Sequence, residues 1–317
     1  MWRWFRDRWK RRKARALRDR LVKNRDKGKE RRKAERNKDE RTTATAVYEC
    51  RVTLFLDFLG FKEVVERSLN DSSVICEVLR AVRQAGFLID DDGASESEMV
   101  TQFSDSMVVS VRADEKSGVF WTLDGIGMIV VDLAGRGFLV RGGLTVGPLY
   151  HTDELVMGPA MNRAYKLENK IAKAPRVIVD RMVLRTAKNA AAPQHSPDQE
   201  VEYSRSLLKN DADHRLYVDY ITCNAFENLG CRREHYPSYF RNLTELAAAG
   251  LAHPDGRVRE KYAWLDNRLK IEIDNLTKIG AIPGRRAMDH EFYDEIDRVA
   301  ADYKAALASM TTLNTTP

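Results

Sequence analysis

Residues 46–61 read AVYECRVTLFLDFLGF. The run VTLFL is unbroken and rich in β-branched and aromatic residues, so it predicts a buried strand. Asp57 closes that strand, and Gly60 supplies a turn before FKEVVERSLN, whose apolar spacing is helical. A second carboxylate stands in a similar place. MVTQFSDSMVVSV (99–111) predicts two short strands around a tight turn at Ser104–Asp105. A carboxylate at a strand end is held rigidly while it faces a cleft. Two of them suit a hard divalent cation, which takes oxygen ligands and keeps places for water or phosphate. Each residue taken alone also reads as an ordinary turn aspartate.

Outward from these two stretches, helical spacing covers 71–89 and an acidic loop, DDDGASESE, follows it. Residues 116–135 predict a long apolar helix and FLVRGGLTVGPLYH (138–151) a strand with glycines. MGPAMNRAYKLENKIAKA (157–174) predicts a turn and a helix with Pro159 in its first turn, and RVIVD (176–180) a short strand. Residues 186–200 read as a polar loop, RLYVDYI (215–221) as one more strand, and 226–312 as mainly helical. Hairpins mixed with crossover helices predict an α+β fold rather than a doubly wound parallel sheet.

The charge is unevenly placed. Residues 1–41 hold 20 Lys and Arg against 7 Asp and Glu, and the remainder of the chain holds 33 against 40. The basic arm is helix-forming in composition, but beyond Val22 it has almost nothing apolar to pack. It reads first as a solvated, partly helical tail. Its tryptophans and basic residues also suit weak contact with an anionic membrane surface, and nucleic-acid phosphates come last, so no stable nucleic-acid partner is expected. Four cysteines without a CxxC pair give neither a disulfide scaffold nor a zinc site, which points to the cytoplasm. No apolar run approaches the roughly 20 residues of a bilayer span. The expected organisation is a basic helical arm over 1–44, one catalytic domain over 45–225 and a helical extension over 226–317.

FLDFLGF (55–61), FSDS (103–106), VRGGLTVGPLY (140–150) and MGPAMNRAYKLE (157–168) together resemble the class III nucleotide cyclases, in order and in approximate spacing. The resemblance implies a ferredoxin-like sheet with covering helices. It implies that Asp57, the Phe58 carbonyl and Asp105 hold two divalent ions, Mn²⁺ or Mg²⁺, and that the N–H groups of Leu59, Gly60 and Phe61 cradle the terminal phosphates. It implies that Asn162 positions the ribose and that Lys166, where the family has arginine, meets charge on the phosphate undergoing attack. Arg163 and Lys170 lie nearby, but neither is one turn from Asn162 on the same side, and the C-terminal Lys278, Arg285 and Arg286 are not assigned to the triphosphate. In the family the aspartates and the Asn-bearing helix come from different subunits, so the resemblance implies a homodimer with two symmetric sites.

The two base-reading positions of purine cyclases fall on Thr101 and Leu155, which reproduce neither the adenine nor the guanine pattern. With these changes, the sequence is most similar to the bacterial pyrimidine cyclases of Pycsar anti-phage systems. That similarity implies conversion of UTP to cyclic UMP and pyrophosphate, as a signal to a separate cyclic-nucleotide-binding effector. CTP as substrate, a purine cyclase, and an inactive nucleotide-sensing domain stay open as alternatives.

Overall fold

The computed structural model describes residues 47–71, 73, 74, 76 and 97–313. The basic arm, and nearly all of the helix and acidic loop expected over 71–98, lie outside the described residues.

The first described strand is β1 (Glu49–Phe58), followed by α1 (Phe61–Ser68). The hairpin β2 (Met99–Phe103) and β3 (Ser106–Arg112) turns at Ser104, which takes a left-handed φ of 49°. Next come α2 (Gly118–Gly135), β4 (Val140–His151), β5 (Val156–Met157) and α3 (Pro159–Lys166). These are followed by β6 (Val177–Val179), α4 (Arg181–Asn189), α5 (Pro197–Ser206), β7 (Leu208–Asn210) and β8 (Leu216–Val218). Helices α6 (Cys223–Asn228), α7 (Tyr236–Leu251), α8 (Gly256–Gly280), α9 (Arg285–Met288) and α10 (His290–Leu313) complete the chain.

The strands form one mixed sheet in the order β2-β3-β1-β4-β6-β8-β7, with β5 paired to β4. The first four are antiparallel neighbours, with β3 inserted between β1 and β2. That is the split βαβ of the ferredoxin-like arrangement, and the expected α+β fold is present. The parallel pairing of β4 with β6 carries the sheet on into β8 and β7.

Alternation along β1 sets the two faces of the sheet. Val52, Leu54, Leu56 and Phe58 are buried in the main core with Leu123, Ile126 and Ile129 of α2. Arg51, Thr53, Phe55 and Asp57 take the opposite face, where Phe55 packs with Val108 and Ala164 of α3. Among the described residues α2 is the one helix whose length and mean hydropathy, 1.4, would suit a membrane span, yet most of its residues are buried inside the molecule. Helix α3 sits close on β4 because Gly143 lacks a side chain. A Cβ there would stand 2.4 Å from Leu167 Cβ and 2.5 Å from the Ala164 carbonyl oxygen.

The polar loop expected over 186–200 is confined to 190–196, between the end of α4 and the start of α5. Asp180 caps α4 by accepting from the Met182 N–H, and Ser196 and Gln199 form a capping box around Pro197 at the start of α5. Both helices are polar with narrow buried stripes, so their caps and not their hydrophobicity mark them. The C-terminal helices are continuous with the sheet's core: Tyr236, Phe240, Leu265, Leu269, Phe292 and Ile296 join the same buried cluster.

Candidate active site

Asp57 lies opposite Ser106 on β3 and opposite Arg141 on β4. Side chains at paired positions share a face, so all three converge at one end of the sheet. The Ser106 hydroxyl donates to Asp57 Oδ1 at 3.0 Å, and the Arg141 guanidinium stands 3.6 Å from Oδ2. Asp105 sits in the adjoining turn, where its carbonyl accepts from the Phe58 N–H at 3.1 Å. The structure therefore brings together the two carboxylates singled out in the sequence.

Three further groups complete this end of the sheet. After Lys166 the chain widens into a π-helix (Leu167–Ala172), which buries both Leu167 and Glu168. Glu168 forms an ion pair with Arg141, so the arginine is shared between two acids. Lys261 of α8 adds positive potential at both Asp57 and Glu168. Burial raises the Asp57 carboxyl above its usual range. The neighbouring Asp105 adds to the rise, against the Ser106 hydrogen bond and the charges of Arg141 and Lys261. Burial likewise raises Glu168, with Arg141 opposing. None of Arg141, Glu168 and Lys261 is marked by its own sequence context. The first two become visible only through the β1–β4 register and the seat of α3, and Lys261 only through the return of α8.

The donor set suits a hard divalent ion. Asp57 and Asp105 offer carboxylate oxygens from adjoining elements, and burial together with mutual repulsion leaves Asp57 short of positive charge. Among the described residues no cluster of three or more His, Cys, Asp or Glu forms a metal cage. Such a pair fits Mg²⁺ or Mn²⁺ held by one or two carboxylates and completed by substrate phosphate.

The other expected residues are distributed as follows. Gly60 takes a left-handed φ of 73° at the turn into α1. The Leu59 N–H donates to the Leu139 carbonyl at 2.8 Å and is thereby committed within the fold, unlike its expected part in a phosphate cradle. Asn162 and Lys166 are exposed on α3, while Ala160 and Ala164 are the residues that helix buries. The structure therefore does not turn Asn162 and Lys166 toward the sheet that carries Asp57. Arg163 is occupied by Asp180, with Nε and Nη2 at 3.0 and 2.8 Å from Oδ2. Arg286 is engaged by Asp294 and Asp297. Thr101, on the same face as Asp57, bonds His151 at 2.8 Å, and Leu155 is exposed in the turn between β4 and β5.

No family model matches the chain, and neither does any curated protein. Solved structures give low-level likenesses. The adenylyl cyclase CyaB from P. aeruginosa aligns at 13% identity and a TM-score of 0.35, over 45% of this chain and 82% of that one. The catalytic core of a rhodopsin-guanylyl cyclase with converted specificity, in complex with ATPαS, aligns at 15% and 0.37, over 44% and 82%. A bacterial light-regulated adenylyl cyclase aligns at 14% and 0.37, over 63% and 98%. At these identities and TM-scores the likenesses say nothing of substrate or activity.

Proposed function

We propose that this chain is a metal-dependent nucleotide cyclase that converts a pyrimidine nucleoside triphosphate, UTP before CTP, to its 3′,5′-cyclic monophosphate and pyrophosphate. The observation that carries this reading is the convergence of Asp57 and Asp105, with Ser106 and Arg141, at one end of a split βαβ sheet. The four sequence stretches that resemble class III cyclases support it, and their similarity to the Pycsar enzymes supports cyclic UMP as a cytoplasmic anti-phage signal to a separate effector.

In this reading the 3′-oxygen attacks the α-phosphorus, the bond to the β-phosphate oxygen breaks, pyrophosphate leaves, and the hydroxyl proton passes to solvent. Asp57 and Asp105 would hold the divalent ions, which when bound would supply Lewis acidity toward the hydroxyl and the triphosphate charge. Ser106 fixes the Asp57 carboxylate through its hydrogen bond. The N–H groups of Gly60 and Phe61 at the start of α1 receive the terminal phosphates. Asn162 and Lys166, turned outward on α3, serve the site of a second copy, where they orient the ribose and meet developing phosphate charge. A homodimer then has two equivalent sites. Residues 45–225 are the catalytic unit, 226–317 a helical extension that brings Lys261 to it, and 1–44 an accessory arm.

The test is incubation of the purified chain with each of the four nucleoside triphosphates and Mn²⁺, with products identified by mass spectrometry. Cyclic UMP as the main product is expected. Cyclic AMP or cyclic GMP as the main product overturns the pyrimidine assignment, and the absence of any cyclic product overturns the activity.

A further inference from the structure

A chain of polar side chains runs along the sheet face that carries Asp57, and none of the roles above requires most of it. Arg51 Nε donates to Ser110 Oγ at 2.8 Å. Ser110 Oγ meets His151 Nδ1 at 2.7 Å, and His151 Nε2 meets Thr101 Oγ1 at 2.8 Å. Arg51 is held at its other nitrogens by Glu49 and by the Ser97 and Ser110 carbonyls. Ser110 has no solvent exposure, Arg51 is buried, and Thr101 at the far end is partly open.

Proton counting gives this chain a direction. A guanidinium only donates, so Ser110 Oγ accepts from Arg51. The Ser110 hydroxyl has one proton of its own, and the remaining partner of that oxygen is His151 Nδ1. Were Nδ1 protonated, Ser110 would accept twice and its own proton would be buried without an acceptor, a costly arrangement. Ser110 therefore donates to Nδ1, the ring carries its proton on Nε2, and Nε2–H donates to Thr101 Oγ1. The ring is neutral near pH 7: burial, with Arg51 close by, pushes its pKa down to about 4. Thr101 Oγ1 accepts from the ring and keeps its own proton to donate.

Thr101 is also well placed for a base. It pairs with Val108, which pairs with Phe55, one pleat row from Asp57 on the same face. Strand spacings of about 4.8 Å sideways and about 7 Å per two residues put it roughly 12 Å from Asp57, within the reach of a nucleotide laid across the strands. Phe103, two residues further along β2 and half exposed, adds a flat ring on the same face.

We propose that Arg51, Ser110 and His151 act as a relay that fixes Thr101 as a hydrogen-bond donor, and that this donor reads ring position 4 of the pyrimidine, where uracil has a keto oxygen and cytosine an exocyclic amine, so that uracil is selected over cytosine. This rests on the cyclase reading and deepens it. A keto oxygen satisfies the Thr101 proton. An exocyclic amine takes a lone pair instead and leaves that proton without an acceptor, at a cost in affinity. Arg51, Ser110 and His151 are positioning residues, and Thr101 is the group that touches substrate.

Two measurements test the relay. Nitrogen-15 NMR of histidine-labelled full-length chain, with His151 assigned through His151→Gln, is expected to show a neutral ring protonated at Nε2 at pH 7. An Nδ1-protonated or doubly protonated ring overturns the relay. UTP and CTP are then compared by calorimetric binding and by product formation in the wild type, Thr101→Val and Thr101→Ser. The wild type is expected to prefer UTP by on the order of tenfold or more, the cost of one unsatisfied polar group. Thr101→Val should lose that preference and Thr101→Ser should keep it. A preference for CTP, or a UTP preference unchanged in Thr101→Val, overturns the proposal. Failure of the cyclase reading looks different: Thr101-dependent UTP binding without any cyclic product leaves the donor in place and removes the catalysis. Binding of neither nucleotide removes both.

Discussion

Arg141 stands directly across the β1–β4 ladder from Asp57, with its guanidinium 3.6 Å from that carboxylate. The same guanidinium pairs with Glu168, so one cation serves two half-buried or buried acids. The balance leaves Asp57 raised, because burial, helped by Asp105, outweighs Ser106, Arg141 and Lys261. A carboxyl whose folded pKa lies above its unfolded value favours the fold most when protonated. That contribution is complete below the ordinary carboxylate range and is lost as pH rises through the folded pKa. A divalent ion acts in the opposite sense, since it binds the ionised form. Mn²⁺ should therefore raise the melting temperature little at acid pH and more at neutral pH. At about 100 times the dissociation constant the gain is about 2.7 kcal/mol. Differential scanning fluorimetry across pH, with and without Mn²⁺, checks this. An equal rise in Asp57→Asn would place the ion elsewhere.

Asp57→Asn and Asp105→Asn should each lower kcat by at least about 10² to 10³, the scale for loss of one preorganised electrostatic group. Neither change should unfold the protein. In Asp57→Asn the new amide keeps an oxygen for the Ser106 hydroxyl, and Arg141 keeps Glu168. Without added metal, Asp57→Asn should melt at or above the wild-type temperature at neutral pH, because a partly buried acid whose charge the fold disfavours has been removed. Steady-state kinetics beside thermal melts separates the two effects. A variant that keeps near-wild-type turnover would remove Asp57 from the catalytic machinery.

Gly143 is the point at which α3 and the sheet meet. Gly143→Ala should destabilise the chain by about 1–3 kcal/mol, as overpacking does in a close-fitting contact. The new methyl would meet Leu167 Cβ and the Ala164 carbonyl, which is backbone and cannot rotate away. The shift also moves Glu168, so turnover should fall further than stability alone explains. Urea unfolding gives the first quantity, and kcat under strongly folding conditions gives the second.

The carboxylate pair was legible in the sequence because each Asp ends an apolar strand, and strand ends are marked by composition. The hairpin at Ser104–Asp105 and the apolar helix α2 were legible for the same reason. What stayed hidden depends on register or on long-range return. Arg141 matters through its pairing with Asp57, and His151 through its reach from β4 across β1 to Ser110 and Thr101, contacts separated by 41 and 50 residues. Lys261 reaches the site from a helix that begins more than 100 residues after β4. The end of α4 and the start of α5 were hidden differently: the Ser196–Gln199 cap was present in the sequence, but the polar stretch 186–200 read as loop throughout.

The outward placement of Asn162 and Lys166 leads to a complementation experiment. Both side chains are exposed on α3, and Asp57 lies on the sheet face beneath that helix's buried side, so one copy does not present the two sets to each other. If two copies share sites, Asp57→Asn and Lys166→Ala should each be nearly inactive alone and active when mixed. In a mixed dimer one site carries both defects and the other carries neither. Random exchange makes half of all dimers mixed, each with one intact site of two, so about a quarter of wild-type activity is expected. Titrating one variant into the other at constant total protein should give a curve that peaks at equal amounts. A flat line at the sum of the two residual activities would show that each copy works with its own residues, and Asn162 and Lys166 would then lose the role assigned to them.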